Sequence, residues 1–182
     1  DSLYQYCKSL GFKDRVLQES GLFSFKENGV YDKFFNRLIF PIMDLHNRVI
    51  GFGGRVMGDG EPKYLNSPET KLFDKSRNLF ALNFSRKSRA NYFILCEGYM
   101  DVISLHQWGF LEAVAALGTA FTEQQADLMK RFNSLIYLCF DSDGAGKKAC
   151  KRAISILREK KLEGKVIRLS PYKDPDEFLK AE

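Results

Sequence analysis

From Tyr92 onward the chain alternates short, continuously apolar runs with amphipathic stretches of helical length, and acids stand just after three of those runs. YFILC (92–96) precedes Glu97, LIYLCF (135–140) precedes Asp141 and Asp143, and KVIRLS (165–170) comes shortly before Asp174 and Asp176. Continuous apolar runs alternating with helices call for a parallel sheet covered on both faces. Right-handed crossovers then bring every strand's C-terminal end to one edge. Carboxylates following the strands therefore gather where open α/β sheets bind their ligands. A few carboxylates around a partly hydrated ion suit magnesium.

The pattern predicts strands at Tyr92–Cys96, Glu112–Leu117, Leu135–Phe140 and Lys165–Leu169. Helices are expected at Tyr99–Trp108, closed by Gly109, and at Thr122–Arg131, where Thr122 and Gln125 have capping-box spacing. A third runs from about Ala145 to Lys161, with Gly164 as its stop. The first ninety residues are less regular. Helices are expected at Leu3–Leu10 and Lys13–Ser20, parted at Gly11. Strand-like pieces follow at Phe34–Pro41, Met43–Leu45 and Arg48–Phe52, with turns at Gly29, His46-Asn47 and Gly53-Gly54. A basic, polar loop comes next. The expected architecture is thus a small mixed α+β unit over 1–90 and an α/β unit over 91–182, with the boundary near Arg89–Asn91.

The 182 residues carry a net charge of +5, all of it in the first half: residues 1–90 have 15 Lys+Arg against 10 Asp+Glu, and residues 91–182 have 13 of each. A basic half beside an acidic strand edge suits a polyanionic substrate such as nucleic acid. No apolar stretch approaches the length of a membrane span. The four cysteines, Cys7, Cys96, Cys139 and Cys150, are scattered, so neither a zinc site nor a disulfide framework is expected and a reducing cytosol fits. The Asp-Ser start, without a signal-peptide pattern, reads as a piece cut from a longer protein.

Asp141-Ser-Asp-Gly-Ala-Gly146 is the sharpest motif, because acids at i and i+2 can face one cation across a turn. An EF-hand loop starting at Asp141 fails, with Ala145 and Arg152 at its fifth and twelfth positions. A P-loop fails because Asp141 stands where its first glycine belongs. An aspartyl-phosphate enzyme with Asp141 as nucleophile stays open, but it leaves Glu97 and the basic half unexplained. Glu97-Gly-Tyr-Met-Asp101 places an acid in a strand-to-helix turn, with Asp101 as a support in the first helical turn. Taken alone, Glu97 is an ordinary helix-start acid, and Asp174-Pro-Asp176 is as easily a cap. In the basic half, Arg55 can grip a phosphate bidentately, Lys63 adds a point charge and Tyr64 can stack on a base. Lys75 and Arg77 are further basic candidates. His46 and His106 read as structural, and no Ser-His-Asp arrangement is evident.

The segments 97–101, 141–146 and 174–176 resemble the Toprim domain of bacterial, DnaG-type DNA primases. FPIMDLHNRVIGFGGR (40–55), PKYLNSPET (62–70) and FDKSRNLF (73–80) resemble the N-terminal subdomain of the same catalytic core. The Toprim acids alone are shared with topoisomerases and some nucleases. The Gly-Gly-Arg and Pro-Lys-Tyr-Leu-Asn segments are what point to primase. The resemblance implies a Toprim sheet, mainly parallel and flanked by helices, after a basic α+β subdomain. It implies a nucleotidyltransferase that copies single-stranded DNA into RNA primers from ribonucleoside triphosphates, passing through an RNA–DNA hybrid in the bacterial cytoplasm at the replication fork. Glu97, Asp141 and Asp143 would be catalytic and bind two or more Mg2+ or Mn2+ ions, with Asp174 and Asp176 nearby. Arg55, Lys63, Tyr64, Asn66, Lys75 and Arg77 would handle template and nucleotide phosphates. The family's zinc-binding module, helical subdomain and helicase-binding domain are not in this sequence, so contacts with the replicative helicase and single-strand-binding protein would run through other parts. A Toprim nuclease and a non-catalytic nucleic-acid-binding module are the alternatives.

Overall fold

The structure is a computed structural model and describes residues 2–181. Its contacts divide the chain into two compact units. One holds residues 1–42 and 49–74, and the other residues 43–48 and 75–182.

The first unit opens with helices α1 (Ser2–Ser9) and α2 (Asp14–Glu19), parted where Gly11 takes φ +84°, a conformation open to glycine at little cost. Two strands not expected from the sequence follow, β1 (Phe23–Lys26) and β2 (Gly29–Asp32), paired antiparallel from Phe23↔Asp32 to Lys26↔Gly29. Gly29 is thus the first residue of a strand, not the turn itself. A three-stranded sheet is ordered β3 (Arg37–Met43), β4 (Val49–Val56), β5 (Tyr64–Asn66). Two expectations are corrected here. Gly53-Gly54 is no turn: β4 runs straight through it, because a Cβ on Gly54 would stand 2.8 Å from the Phe34 ring. Glycine there lets the strand pack closely rather than bend. The expected polar loop also contains β5, whose Tyr64 pairs with Arg55 and whose Asn66 pairs with Gly53.

The second unit is built on a four-stranded sheet ordered β7-β6-β8-β9. Its strands are β6 (Tyr92–Cys96), β7 (Ala113–Ala115), β8 (Leu135–Cys139) and β9 (Glu163–Val166), and every pairing is parallel. Alternation along β6 supplies both faces of the sheet. Phe93 and Leu95 pack with Ile136 and Leu138 against Ala126, Met129, Ala153 and Leu157. Ile94 and Cys96 pack with Cys139 against Val102, Leu105 and Leu179. The first set lies under α5 (Glu123–Lys130) and α6 (Gly144–Glu159), the second under α4 (Tyr99–Gln107) and α7 (Pro175–Ala181). A short helix α3 (Leu82–Ser85) precedes the sheet.

Residues 79–85 pack with this sheet. Leu79 and Leu82 enter its core, and Phe80 forms a bridge to Ala115 beside β7. The hairpin tip joins them, with Asn83 Nδ2 donating to Asn47 Oδ1 at 2.9 Å and Arg86 Nη2 donating to the Leu45 carbonyl at 2.7 Å. By contacts, residues 75–90 group with the sheet. Two boundaries of elements differ from expectation. Helix α6 stops through Lys161, at φ +59°, and Gly164 lies inside β9. Burial cannot mark β9 because it is an exposed edge strand with an ion pair between Lys165 and Glu163. The apolar residues Ile167 and Leu169 instead lie past its end, where Leu169 is buried. The Thr122 capping box forms as expected, with reciprocal bonds to Gln125 at 3.1 Å.

Candidate active site

Strand order reverses beside β6. The chain leaves β6 through α4 to β7 on one side, and leaves β8 through α6 to β9 on the other. The C-terminal ends of β6 and β8 thus flank a topological switch point, where doubly wound sheets open a crevice. Cys96 and Cys139 are paired across these strands, so the residues that follow them, Glu97 and the 140–143 turn, enter that crevice side by side.

Glu97 Oε1 accepts the Asp141 backbone N–H at 2.9 Å. Asp143 Oδ1 accepts the Gly146 N–H at 2.7 Å and so caps α6. Gly146 is required for this closeness: a Cβ there would overlap the Asp141 carbonyl and stand 2.6 Å from Glu97 Oε1. Ser142 ties the turn to the next loop, its N–H donating to the Lys173 carbonyl and its hydroxyl to the Tyr172 carbonyl, both at 3.0 Å.

The carboxylates strain one another electrostatically. Partial burial pushes the Glu97 carboxyl above its usual range, with Asp141 and Asp143 adding repulsion against the relief of the Asp141 N–H. Burial likewise raises Asp141, with repulsion from Asp174 and Asp143, while Lys173 opposes the shift. Asp101 is pushed furthest, to about 7, by burial first and then by Asp141, Asp174 and Glu97, although it accepts the Gly98 N–H at 3.0 Å. Asp101 is therefore both the expected first-turn support and a member of the acidic group. The sequence signal for it is its spacing four residues after Glu97, one helical turn on.

Asp174 caps α7 by accepting the Glu177 N–H at 2.9 Å, and its charge reaches Asp141 and Asp101. Asp176 is engaged elsewhere. It accepts the Ser104 hydroxyl at 2.9 Å and the Lys180 ammonium at 2.6 Å, bonds that hold its carboxyl below the usual range. It ties α7 to α4.

Among the described residues no three carboxylate, imidazole or thiol side chains stand as a preformed metal cage. The chemistry of the donors still fits a hard divalent cation. They are all oxygens, and their repulsion is what a cation relieves. Magnesium is also bound through one or two carboxylates, retained water and substrate phosphates rather than an all-protein cage.

Comparison with known proteins adds to this geometry. Residues 1–86 match the family described as DNA primase catalytic core, N-terminal domain, and residues 94–179 match the Toprim-like family. The DNA primase of Clostridium acetobutylicum is 50% identical over 179 residues, which are 98% of this chain and 30% of that protein. The chain belongs to the DNA primase catalytic-core family. The Aquifex aeolicus primase structure, with zinc-binding and RNA polymerase domains, aligns at a TM-score of 0.91 and 38% identity, covering 99% of this chain and 45% of that one. A structure of the DnaG primase catalytic domain bound to single-stranded DNA aligns at 0.87 and 37% identity, covering 96% and 57%. The chain thus spans about 30% of the length of the curated primase it matches.

The basic candidates of this primase core lie on two surfaces, one in each unit. In the first, Arg55 stands over the Tyr64 ring with its guanidinium carbon 5.7 Å from the centroid, a cation–π contact across β4 and β5. Arg55 and Lys63 line a cavity of about 430 Å³ that Asp59 and Glu61 also border. Arg37 Nη1 donates to the Pro62 carbonyl at 2.7 Å, which holds the start of this segment to β3. Asn66 stands two residues along β5. In the second unit Lys75 and Arg77 form a single 3-10 turn. Buried Gln125 holds it from α5, its Nε2 donating to the carbonyls of Lys75 at 2.9 Å and Asn78 at 2.8 Å. Thr122 Oγ1 adds a bond to the Ser76 carbonyl at 2.6 Å. His106 is structural, bonded to the Ala113 carbonyl at 2.9 Å.

Proposed function

We propose that this chain carries the nucleotidyl-transfer site of a DNA primase, making short RNA primers on single-stranded DNA for replication. The observation that carries the reading is the set of acids at the switch point, Glu97 bonded to the Asp141 backbone and Asp143 one turn away at the start of α6. The domain assignment that goes with it gives 1–90 to the basic subdomain and 91–182 to the Toprim domain.

Glu97, Asp141 and Asp143 would hold divalent cations, Mg2+ or Mn2+, with Asp174 and Asp101 adding negative charge. When bound, such ions lower the pKa of an attacking 3′-hydroxyl and neutralise a triphosphate and its leaving pyrophosphate. The chain's own contribution is position and charge, which dominate phosphoryl transfer. The Asp141 N–H fixes the Glu97 carboxylate, the α6 cap fixes Asp143, and Ser142 anchors the turn to the 172–173 loop. Lys173, which eases the charge on Asp141, stands ready to meet a polyphosphate oxygen. Arg55, Lys63, Tyr64, Asn66, Lys75 and Arg77 would bind template, ribonucleoside triphosphates and the RNA–DNA hybrid. The replicative helicase and single-strand-binding protein would engage other parts of the longer primase, in the bacterial cytoplasm at the fork. No helix among the described residues is long and apolar enough to cross a membrane.

The test supplies single-stranded DNA, labelled ribonucleotides and manganese, and resolves products by size. RNA products that disappear with Asp141→Asn are the expected outcome. Shortened DNA in their place replaces this reading with a Toprim nuclease. DNA binding unchanged by Asp141→Asn, with neither product formed, replaces it with a binding module.

A further inference from the structure

The second half of the chain is neutral as a whole but not in its parts. Residues 144–170 carry nine Lys+Arg against two Asp+Glu, a net +7, while the rest of 91–182 carries four against eleven, a net −7. The positive part is α6 with the edge strand β9. Lys147, Lys148, Lys151, Arg152 and Arg158 are exposed on α6, and Lys161 just after it. The buried residues of the helix, Gly146, Ala153, Ile156 and Leu157, take the opposite side, so these cations share the outer face. Among the described residues none of the six forms an ion pair. Lys160, by contrast, is held by Glu123 at 3.1 Å and Asp127 at 2.9 Å.

A solvated helix face is stabilised when acids stand four residues from cations. Here Lys147 and Lys151, and likewise Lys148 and Arg152, are like charges at that spacing and repel. A polyanion relieves this repulsion. The stripe also has a direction. Helix α6 starts at the Asp143 cap beside the acidic edge and runs back along the sheet, so Lys147 stands nearest that edge and Arg158 farthest from it. Lys147, Lys151 and Arg158 follow one line, because the eleven residues from first to last make almost three turns, and they span roughly 16 Å at about 1.5 Å per residue. That length matches about five phosphates of one duplex strand, spaced about 3.4 Å along the axis. Residues 144–170 hold no aromatic side chain, whereas grooves for single strands stack bases on aromatic rings. We propose that the outer face of α6 is a track for the sugar-phosphate backbone of an RNA–DNA hybrid, leading the product duplex away from the acidic edge. The track rests on the nucleotidyl-transfer reading above and gives the product a surface separate from Arg55, Lys63 and Tyr64. The reacting phosphate stays at the acids with their cations, and only phosphates already joined pass from Lys147 to Arg158.

The test follows binding of a short, labelled RNA–DNA hybrid by fluorescence anisotropy over a range of salt. EDTA is present throughout, so neither synthesis nor cleavage intervenes. The double variant Lys151→Glu/Arg158→Glu is expected to bind the hybrid about tenfold more weakly or worse, and its slope of log affinity against log salt should be shallower by about 2, about one for each phosphate contact removed. Single-stranded DNA of the same sequence should lose far less, because Arg55 and Tyr64 remain to hold it. Lys151→Gln/Arg158→Gln removes the charges without reversing them and should show the same change of slope, and thermal melting checks that both variants fold. Hybrid affinity unchanged in both variants overturns the track, as does an equal loss for the single strand. Unchanged hybrid affinity with lost binding of polyglutamate makes the face a site for an acidic protein instead. If primers are made while hybrid affinity survives both variants, the track fails and the primase reading stands. If hybrid affinity is lost and shortened DNA is the product of the parent, the face stands as a duplex surface and the primase reading fails.

Discussion

Glu97 Oε1 accepts the backbone N–H of Asp141 at 2.9 Å, across the gap between two parallel strands that meet as Cys96 and Cys139. One bond thus fixes two acids from segments 44 residues apart. It also commits one oxygen of Glu97 to structure and leaves the other for a ligand.

Glutamine at position 97 keeps that acceptor and loses only the charge. Glu97→Gln is therefore expected to melt at or slightly above the parent temperature in the absence of metal, since repulsion with Asp141 and Asp143 is relieved. Primer synthesis should fall by on the order of 10²-fold or more, the scale of losing one transition-state stabilising group. Calorimetry and a product assay on the same protein check both halves. A variant that unfolds, or one that retains its rate, contradicts the assignment.

Gly146→Ala tests the cradle from the other side. The new methyl would overlap the Asp141 carbonyl and press on Glu97 Oε1. Alanine's helix preference, about 1 kcal/mol over glycine, is outweighed by an overlap with backbone that cannot swing away, which costs about 1–3 kcal/mol. A urea denaturation midpoint lower than the parent's, with weaker Mn2+ binding, is expected. A more stable variant would mean that the turn is looser than described.

Asp101 links the site to pH. Its folded pKa is about 7, while an unfolded aspartate titrates near about 3.9. Between these values the unfolded chain has released a proton that the folded chain retains, so metal-free stability falls as pH rises from about 4 to 7. Glu97 and Asp141 are raised as well and add a slope of the same sign. Asp101→Asn keeps an acceptor for the Gly98 N–H. It should therefore flatten part of the slope, melting higher than the parent at pH 8 and near it at pH 4. Saturating Mg2+ should flatten the parent's slope too, and a melting temperature that rises from pH 4 to 7 would refute this account.

The legible parts of this chain are those in which one physical signal dominates. The strands β6 and β8 are buried on both faces and read directly as YFILC and LIYLC, and the Thr122 cap reads from side chains that bond locally. The edge strand β9 lies ahead of its expected place because an exposed strand of Glu163, Gly164 and Lys165 carries no burial pattern. Gly53-Gly54 is ambiguous for a related reason, since a glycine such as Gly54, placed for close approach to Phe34, looks identical in sequence to a glycine placed for a turn. In the site, the acids at strand ends were readable because topology alone brings them together. The half-buried state of Asp101, the place of Lys173 beside Asp141 and the need for Gly146 depend on packing between distant segments, which spacing does not encode.

Gln125 should matter to both stability and nucleic-acid binding. Its fully buried amide satisfies the carbonyls of Lys75 and Asn78, and its Oε1 completes the α5 cap. Gln125→Leu preserves size and leaves those groups without their donor or acceptor, at about 1–3 kcal/mol for each buried group stranded. A loss of at least about 3 kcal/mol in urea denaturation is expected, the low end for three such groups. Single-stranded DNA affinity should fall with it at low salt, because the turn presenting Lys75 and Arg77 is released. Full stability in this variant would show that water replaces the amide.

Asp174 and Asp176 stand two residues apart and should behave differently. Asp174 caps α7 and adds negative charge felt at Asp141 and Asp101, so Asp174→Asn retains a capping oxygen while lowering the charge of the site. It should weaken Mn2+ binding several-fold, with stability nearly unchanged. Asp176 is held by Ser104 and Lys180, so Asp176→Asn should cost about 1 kcal/mol of stability through a weakened charge-assisted contact and leave Mn2+ affinity near the parent's. Metal titration and denaturation of the two variants side by side decide the matter. If Asp176→Asn loses the metal and Asp174→Asn keeps it, the roles are reversed, and α7 must turn its first carboxylate pair the other way when the ion binds.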